Sequence, residues 1–226
     1  MSWLTKTLTS TLGRKLIMSL TGIFLILFLV VHLAGNLQLL KDDGGMAFNI
    51  YAKFMTTNPL IKTTSYLLYA TFLIHIILSL YLTIYNRKAR GGAGYAVKKS
   101  APSVSWSSRN MGLLGTIIFI FLVIHLRNFW YEMHWGGIST VTYEGETYKD
   151  LYSVVSAAFG EPLYVIGYVI AMLGLAFHLY HGFQSAFQTL GLNHKKYTPA
   201  VKFIGVVFSL VVPGLFAAIP VYMLLV

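Results

Sequence analysis

Residues 16–40 read LIMSLTGIFLILFLVVHLAGNLQLL, a stretch with no Lys, Arg, Asp or Glu. At ~1.5 Å per residue, a helix of that length exceeds the ~30 Å of hydrocarbon in a bilayer. The period-two alternation of a barrel strand is absent, so the stretch reads as a membrane-crossing helix. Four more apolar runs follow at residues 60–85, 111–131, 163–190 and 203–226. The second carries Lys62 near its start and the third Arg127 near its end; the other two carry no charge.

Composition agrees with the runs. Of 226 residues 56% are hydrophobic and 11% charged, where a soluble domain carries about 25% charged. No cysteine is present, which excludes disulfides, thiolate zinc sites, cysteine-ligated iron–sulfur clusters and thioether-linked haem. The net charge of +10 has a pattern. Lys6, Arg14 and Lys15 precede the first run. Arg87, Lys88, Arg90, Lys98, Lys99 and Arg109 join the second to the third. Lys195, Lys196 and Lys202 join the fourth to the fifth. Those twelve basic residues have no acid among them, while all seven acids fall on the other side. By the positive-inside rule the amino terminus is cytoplasmic and the carboxyl terminus faces out. The expected fold is a single all-α integral membrane bundle of five transmembrane helices over residues 1–226. The charge is a matter of topology and lipid contact, and no nucleic-acid partner is called for.

The first run is too long for the apolar core of a signal peptide, and no A-x-A-like cleavage site follows it, so it is expected to remain as a span. Before it, Trp3, Leu4, Leu8 and Leu12 fall on one face of a short interfacial helix. Residues 91–94 and 98–108 make a Gly- and Ser-rich cytoplasmic connection. Residues 42–58 form an outer loop with an amphipathic helix near 48–55. Residues 130–160 form the longest outer segment, aromatic and then acidic, with no soluble domain in it.

Histidine inside a span is expensive and marks function. Four spans hold His32, His75, His125 and the pair His178/His181. Counting from the rims at ~1.5 Å per residue sets His32 and His125 ~25 Å above the cytoplasmic edge, and His75 and His178 ~18–20 Å above it. An internal echo supports an outer pair: Phe28-Leu-Val-Val-His32-Leu33 recurs as Phe121-Leu-Val-Ile-His125-Leu126. Small residues, Ser79 and Gly182, stand one turn beyond the inner histidines and leave room for a flat ring. Two stacked pairs fit two b-type haems with His32 and His125 on the outer iron and His75 and His178 on the inner. Structural hydrogen bonding is the plain alternative for any one of these histidines. A four-histidine zinc or copper site would need one depth. A proton relay would recruit membrane-embedded carboxylates, and none lies in a span. His178 is preferred to His181 on depth. His134 joins an outer aromatic belt with Trp130, Tyr131 and Trp135, and His194 complements a helix carboxyl end. Arg127, two residues past His125, is a partner for an outer haem propionate, with Asn128 nearby; Arg14, Arg87 and Arg109 are the inner counterparts. Ser19, Thr21 and Gly22 read either as helix packing or as a haem-facing groove.

The run Gly13-Arg-Lys-Leu-Ile-Met-Ser19-Leu-Thr-Gly22, with His32-Leu-Ala-Gly35-Asn36 after it, resembles the cytochrome b membrane subunit of succinate dehydrogenase and fumarate reductase, in the five-helix, two-haem b558 form of bacteria that use menaquinone. His178-x-x-x-Gly182 and Leu190-Gly191 resemble the fourth-helix signature of that family, and the likeness spans essentially the whole chain. The resemblance implies haem ligation by the four histidines above. It also implies a flavoprotein subunit and an iron–sulfur subunit on the cytoplasmic face, with electrons relayed from them through the inner and outer haems to menaquinone. Each ligating imidazole is expected to donate its other N–H, to a carbonyl one turn earlier. The family suggests a quinone site near the outer haem, with Asn36, Gln38, Asn49 and Tyr51 as candidates. A carboxylate that serves quinol protons in some relatives has no counterpart in the second span. The rival readings are a haem b anchor of a membrane hydrogenase or formate dehydrogenase, and a non-redox transporter or anchor with structural histidines. Against a transporter, only the fifth span is interrupted by proline, at Pro213 and Pro220.

Overall fold

Ser10 decides where the first membrane-length helix begins. It closes α1 (Trp3–Thr9) and, at the same time, its hydroxyl accepts from the Gly13 amide at 3.0 Å to cap α2 (Thr11–Asn36). The chain folds back so tightly here that a Cβ on Gly13 would stand 2.9 Å from the Leu8 backbone. The interfacial helix expected to run through Leu12 therefore ends at Thr9, and Leu12 lies on α2. Trp3 and Leu8 of α1 are exposed.

The computed structural model describes residues 2–90 and 106–226, apart from the side chains of Leu4 and Arg90. The expected connection at residues 91–94 lies outside the described residues, as does the part of 98–108 that precedes Trp106. The described chain is mostly helical, at 83%, and five helices are long and apolar enough to cross a membrane. The first is α2 extended by a 3₁₀ turn over Leu37–Leu40. The second is α4 (Pro59–Arg90), whose first amides at Leu60 and Ile61 are capped by Asn58 Oδ1. After α3 (Met46–Thr57) and α4 come the short α5 (Trp106–Arg109) and the third long helix. That helix is α6 (Met111–His125), a π-helical turn over Leu126–Tyr131, and α7 (Glu132–Trp135). The last two are α9 (Pro162–Thr189) and α10 (Thr198–Leu225). Four of the five spans outrun the apolar run that announced them, because capping and polar end residues carry the helix past the hydrocarbon-like segment; the fourth matches its run in length.

The long helices make a ring. α2 packs on α4 and α9, and α6 packs on the same two, so α2 and α6 face each other across one diagonal and α4 and α9 across the other. α10 lies outside the ring against α9 and α2. Pro213 and Pro220 are buried within α10, which stays one helix.

One end of the ring is capped. Between α7 and α9 stand β1 (Thr140–Tyr143), β2 (Glu146–Lys149) and α8 (Leu151–Phe159). The strands pair antiparallel with Thr140 opposite Lys149, joined by Glu144-Gly145, both at positive φ as a two-residue hairpin turn requires. The fold is thus not purely helical. Alternating β-branched and aromatic residues on both sides of that turn outcompete helix formation here. Asn49 on α3, 1% exposed, ties the cap together. It donates to Asp150 Oδ1 at 3.0 Å and to the Tyr143 hydroxyl at 3.3 Å, and accepts from the Tyr152 amide at 2.9 Å. The main buried cluster lies beneath, built from Leu33, Leu39, Phe48, Phe129, Phe159 and Tyr168 among others. Elsewhere the long helices turn large apolar residues such as Leu27, Ile77, Leu163 and Leu210 outward, a surface suited to lipid.

Candidate functional site

The two diagonals of the ring each carry a pair of imidazoles. His32 on α2 meets His125 on α6 with ring centroids 5.7 Å apart, and His75 on α4 meets His178 on α9 at 6.4 Å. Imidazole nitrogens sit ~2 Å from a first-row metal, so two rings on opposite sides of one ion have centroids roughly 6 Å apart. Both pairs meet that test. Among the described residues no three of His, Asp or Glu gather at one point, so the imidazoles stand as two pairs and not as one cluster of four.

The separation of the layers can be read twice. Thr21, eleven residues before His32 on α2, bonds His75; Tyr168, ten residues before His178 on α9, bonds His125. Either count puts the layers roughly 15 Å apart along the helices. That is wider than the few ångströms obtained by counting from rim residues, because the helices project beyond their apolar runs by unequal lengths.

The pair near the cap sits in aromatic surroundings. Phe28 stacks on His32 at 5.1 Å and Phe121 lies against His125 at 5.5 Å, one turn earlier on the same helix in each case. The repeated Phe-x-x-x-His motif therefore supplies a ring that pins its own histidine. Phe216 of α10 adds a third face at 5.6 Å from His32. The π-helical turn that starts just after His125 swings Phe129 back to 5.3 Å from the imidazole and sends Asn128 to the Tyr164 hydroxyl at 3.0 Å. The far pair has small neighbours instead. A Cβ on Gly22 would lie 3.7 Å from His75 Cε1, and a Cβ on Gly182 would meet nothing within 4 Å.

Hydroxyls hold two of the four rings. Tyr168 contacts His125 Nδ1 at 2.6 Å, and Thr21 contacts His75 Nδ1 at 2.9 Å. Both partners come from a neighbouring helix, not from the carbonyl one turn earlier that was expected. Thr21 was visible only as a groove or packing residue; Tyr168 was missed, though a phenol inside an apolar span always needs a partner for its hydroxyl. His178 Nδ1 is buried with no partner among the described residues. A buried orphan of that kind costs ~1–3 kcal/mol until something satisfies it. The residues at both pairs thus fit a group held between two imidazoles, and at the far pair one donor still lacks its partner.

Other candidates are placed elsewhere. His181 lines an open polar pocket of about 350 Å³ at the uncapped end with Gln184, Ser185, Gln188 and Lys202, so it is His178 that faces His75. His134 bonds the Trp130 carbonyl at 2.8 Å and stacks on Trp130 within the aromatic cluster. Arg127 pairs with Glu132 and lies over the Tyr131 ring, so its charge is already matched. Arg14 donates to the Tyr81 hydroxyl at 2.9 Å; Arg87 and Arg109 are exposed at the uncapped end. Among the expected quinone residues, Asn49 has its amide spent on the cap. Asn36 donates to the His32 carbonyl at 2.7 Å. Gln38 and Tyr51 come together in an open groove of about 590 Å³ with Met46, Ile50 and Phe54, Lys41 and Asp43 also lining it. The Tyr51 ring fills the space that a side chain at Gly35 would occupy, so the groove abuts the turn that follows His32. Burial raises the Tyr51 phenol above its ordinary pKa and keeps it a neutral donor.

No known protein family, curated protein or solved structure matches the chain. Fold and site define the molecule on their own terms: a bundle with five membrane-length helices whose inner ring carries a facing histidine pair on each diagonal.

Proposed function

We propose that the chain is the dihaem cytochrome b anchor of a succinate:quinone oxidoreductase, a succinate dehydrogenase or fumarate reductase of a bacterial cytoplasmic membrane. In that role it relays electrons between an iron–sulfur subunit and menaquinone. The supporting observation is the assembly of four histidines into two facing pairs at two depths of one helical ring. His32 and His125 hold one haem b; His75 and His178 hold the other. Bound haem supplies one-electron chemistry at a potential set by axial ligands and surroundings. The chain's own work is to orient the imidazoles, keep water from them and fix the polarity at each depth. Phe28, Phe121 and Phe129 do this at the capped layer, and Thr21 and Gly22 at the other.

The two ends divide the remaining tasks. Basic side chains, Arg14, Lys15, Arg87, Lys88, Arg109 and Lys202 among them, gather at the uncapped end. A positive cytoplasmic face of this kind sets topology and receives the iron–sulfur and flavoprotein subunits, which hold the clusters and the dicarboxylate site. The capped end carries the Gln38/Tyr51 groove, where neutral donors can polarise a quinone carbonyl next to the outer histidine layer.

The test is a reduced-minus-oxidised spectrum of the purified membrane complex, with haem quantified per chain and co-purifying subunits identified by mass. Two b-type haems per chain together with a flavoprotein and an iron–sulfur subunit are expected. Absence of haem, in cells with adequate haem supply, overturns the reading. Hydrogenase or formate dehydrogenase subunits in place of the flavoprotein replace the proposed partner.

A further inference from the structure

Each histidine pair is held asymmetrically. In the capped pair, His125 has its Nδ1 on the Tyr168 hydroxyl at 2.6 Å, whereas His32 has the Asn36 side-chain amide 3.5 Å from its Nε2. In the other pair, His75 has its Nδ1 on Thr21 at 2.9 Å, whereas His178 Nδ1 has no partner among the described residues. Both bracing hydroxyls come from the adjacent helix of the ring, α2 for His75 on α4 and α9 for His125 on α6, while the two rings without a hydroxyl partner lie across the diagonals.

The direction of one of these bonds follows from the neighbouring contacts. Thr21 Oγ1 lies 2.8 Å from the Ile17 carbonyl, and a carbonyl can only accept. The hydroxyl proton is spent there, so Oγ1 offers a lone pair to His75 and Nδ1 must carry the proton. That fixes the tautomer and leaves Nε2 bare, the state an imidazole needs to ligate a metal. Ligation through Nε2 requires the same tautomer at His125, in which Nδ1–H would donate and the phenol oxygen accept. Tyr168 is itself held: its ring is buried against Phe159 at 5.0 Å, Phe121 at 4.8 Å and Tyr164 at 5.4 Å. The Tyr164 hydroxyl in turn accepts from Asn128 at 3.0 Å.

We propose that Tyr168 and Thr21 are positioning residues, one for each histidine layer, which lock the tautomer of His125 and of His75 and raise the basicity of the nitrogen opposite. This rests on the haem reading above. An outer N–H given up to an acceptor increases electron donation by the ligating nitrogen and favours the oxidised metal. The shorter bond, to Tyr168, assigns the stronger effect to the capped layer. The orphaned His178 is the ligand that answers to no second partner, so its plane is set by the bound group and by packing.

The experiment uses the intact purified complex carrying Tyr168→Phe, Thr21→Val or Thr21→Ser. Each haem is titrated at equilibrium against potential, and the low-spin ferric signals are recorded by electron paramagnetic resonance. Tyr168→Phe keeps the ring and removes the acceptor. It is expected to weaken the oxidised state of the haem at the capped layer about tenfold, an upward shift of about 59 mV for one electron, with the other haem unmoved. Thr21→Val is expected to shift only the other haem, by less, and Thr21→Ser to restore it. Loss of one haem from the assigned layer alone, with the other retained, also supports the assignment. Two haems with unmoved midpoints and unmoved signals in both Tyr168→Phe and Thr21→Val overturn the inference while leaving the haem reading intact, as does a shift of the wrong haem. A wild-type complex without haem overturns both.

Discussion

The two histidine layers are built to one plan and finished differently. Both span a diagonal of the same ring, and both brace one imidazole with a hydroxyl from the adjacent helix. The capped layer is enclosed by Phe28, Phe121, Phe129, Phe216 and Tyr168, beneath a lid of α3, the hairpin and α8. The other layer faces Gly22 and Gly182 and lies above a polar pocket and a basic rim. An aromatic enclosure is dry and rigid, and it holds its ligands with little freedom. A layer flanked by glycines has more room beside its imidazoles, at the end that carries the basic rim. The proposed relay would use that difference, with one end closed toward a quinone and one end open toward protein partners.

Removing ligands singly is the strongest way to break this comparison. His125→Ala is expected to leave one haem per chain in place of two, with the capped-layer signal gone and quinone reduction down by at least about a hundredfold. His178→Ala should remove the other haem, and His181→Ala should remove neither, since His181 lines the pocket and not the diagonal. The check is pyridine haemochrome quantification on membranes that contain the protein in equal amounts. Equivalent losses from His178→Ala and His181→Ala would dissolve the distinction between pocket and ligand.

The lid supplies the next effect. Asn49 makes three hydrogen bonds at a buried position, and Asn49→Ala leaves Asp150 without its buried partner and the Tyr152 amide unpaired. A cost of ~1–3 kcal/mol is expected, confined to the capped end. Amide hydrogen exchange should rise over residues 140–160 and stay unchanged over α4. A rise over both would mean that lid and bundle unfold as one unit.

What could be read from the sequence sorts along the same line. Span number and the pairing of layers were legible because hydropathy and histidine position follow helical rise, which one chain records directly. The Phe-x-x-x-His echo was legible as a repeat, but not as a stack, since that needs a rotamer. Thr21 and Tyr168 act across to another helix, and no periodicity within one segment records which helices become neighbours. The hairpin was available in Thr140–Tyr143, Glu144-Gly145 and Glu146–Lys149, a two-residue turn between alternating strands, and the weight of apolar runs on either side hid it. Asn49 was expected at the quinone because an amide near an outer histidine has the right chemistry; its burial against Asp150 is a tertiary fact.

The groove sharpens the comparison at the capped end. Among the described residues Gln38 bonds the Ala34 carbonyl alone, at 3.4 Å, which leaves its amide available beside Tyr51. Gln38→Ala removes one neutral hydrogen bond, ~0.5–1.5 kcal/mol, which corresponds to about a two- to tenfold rise in the KM for menaquinone analogue with kcat little changed. Tyr51→Phe should act similarly and Asn49→Ala should not, beyond its effect on stability. Steady-state kinetics at fixed succinate make the distinction, and a KM unchanged in both groove variants would move the quinone site elsewhere.

Acid should loosen the lid. Glu146 is held below its ordinary pKa by hydrogen bonds from Lys53 and Tyr148, then by the charge of Lys53, with slight burial opposing. At Asp150 burial pushes the carboxyl up, but hydrogen bonds from Ser153 and Asn49 outweigh it, and the net shift is downward. A carboxylate whose folded pKa lies below its unfolded one stabilises the fold while ionised. That contribution is complete above the unfolded value, about 4 for these groups, and disappears as pH falls through the folded value. Lid protection, measured relative to the intrinsic exchange rate at each pH, should therefore be flat from pH 7 down to about 5 and fall below about 4. Lys53→Met releases Glu146 from its main partner and brings its folded pKa back toward the unfolded value, so lid protection should be lower at pH 7 and fall less between about pH 5 and pH 3. Asn49→Ala should do the same through Asp150, and the double variant should add the two, because Glu146 and Asp150 stand at opposite ends of β2 and hold different partners. An acid-dependent loss of protection that Lys53→Met leaves undiminished would assign the acid sensitivity of the lid to Asp150 alone.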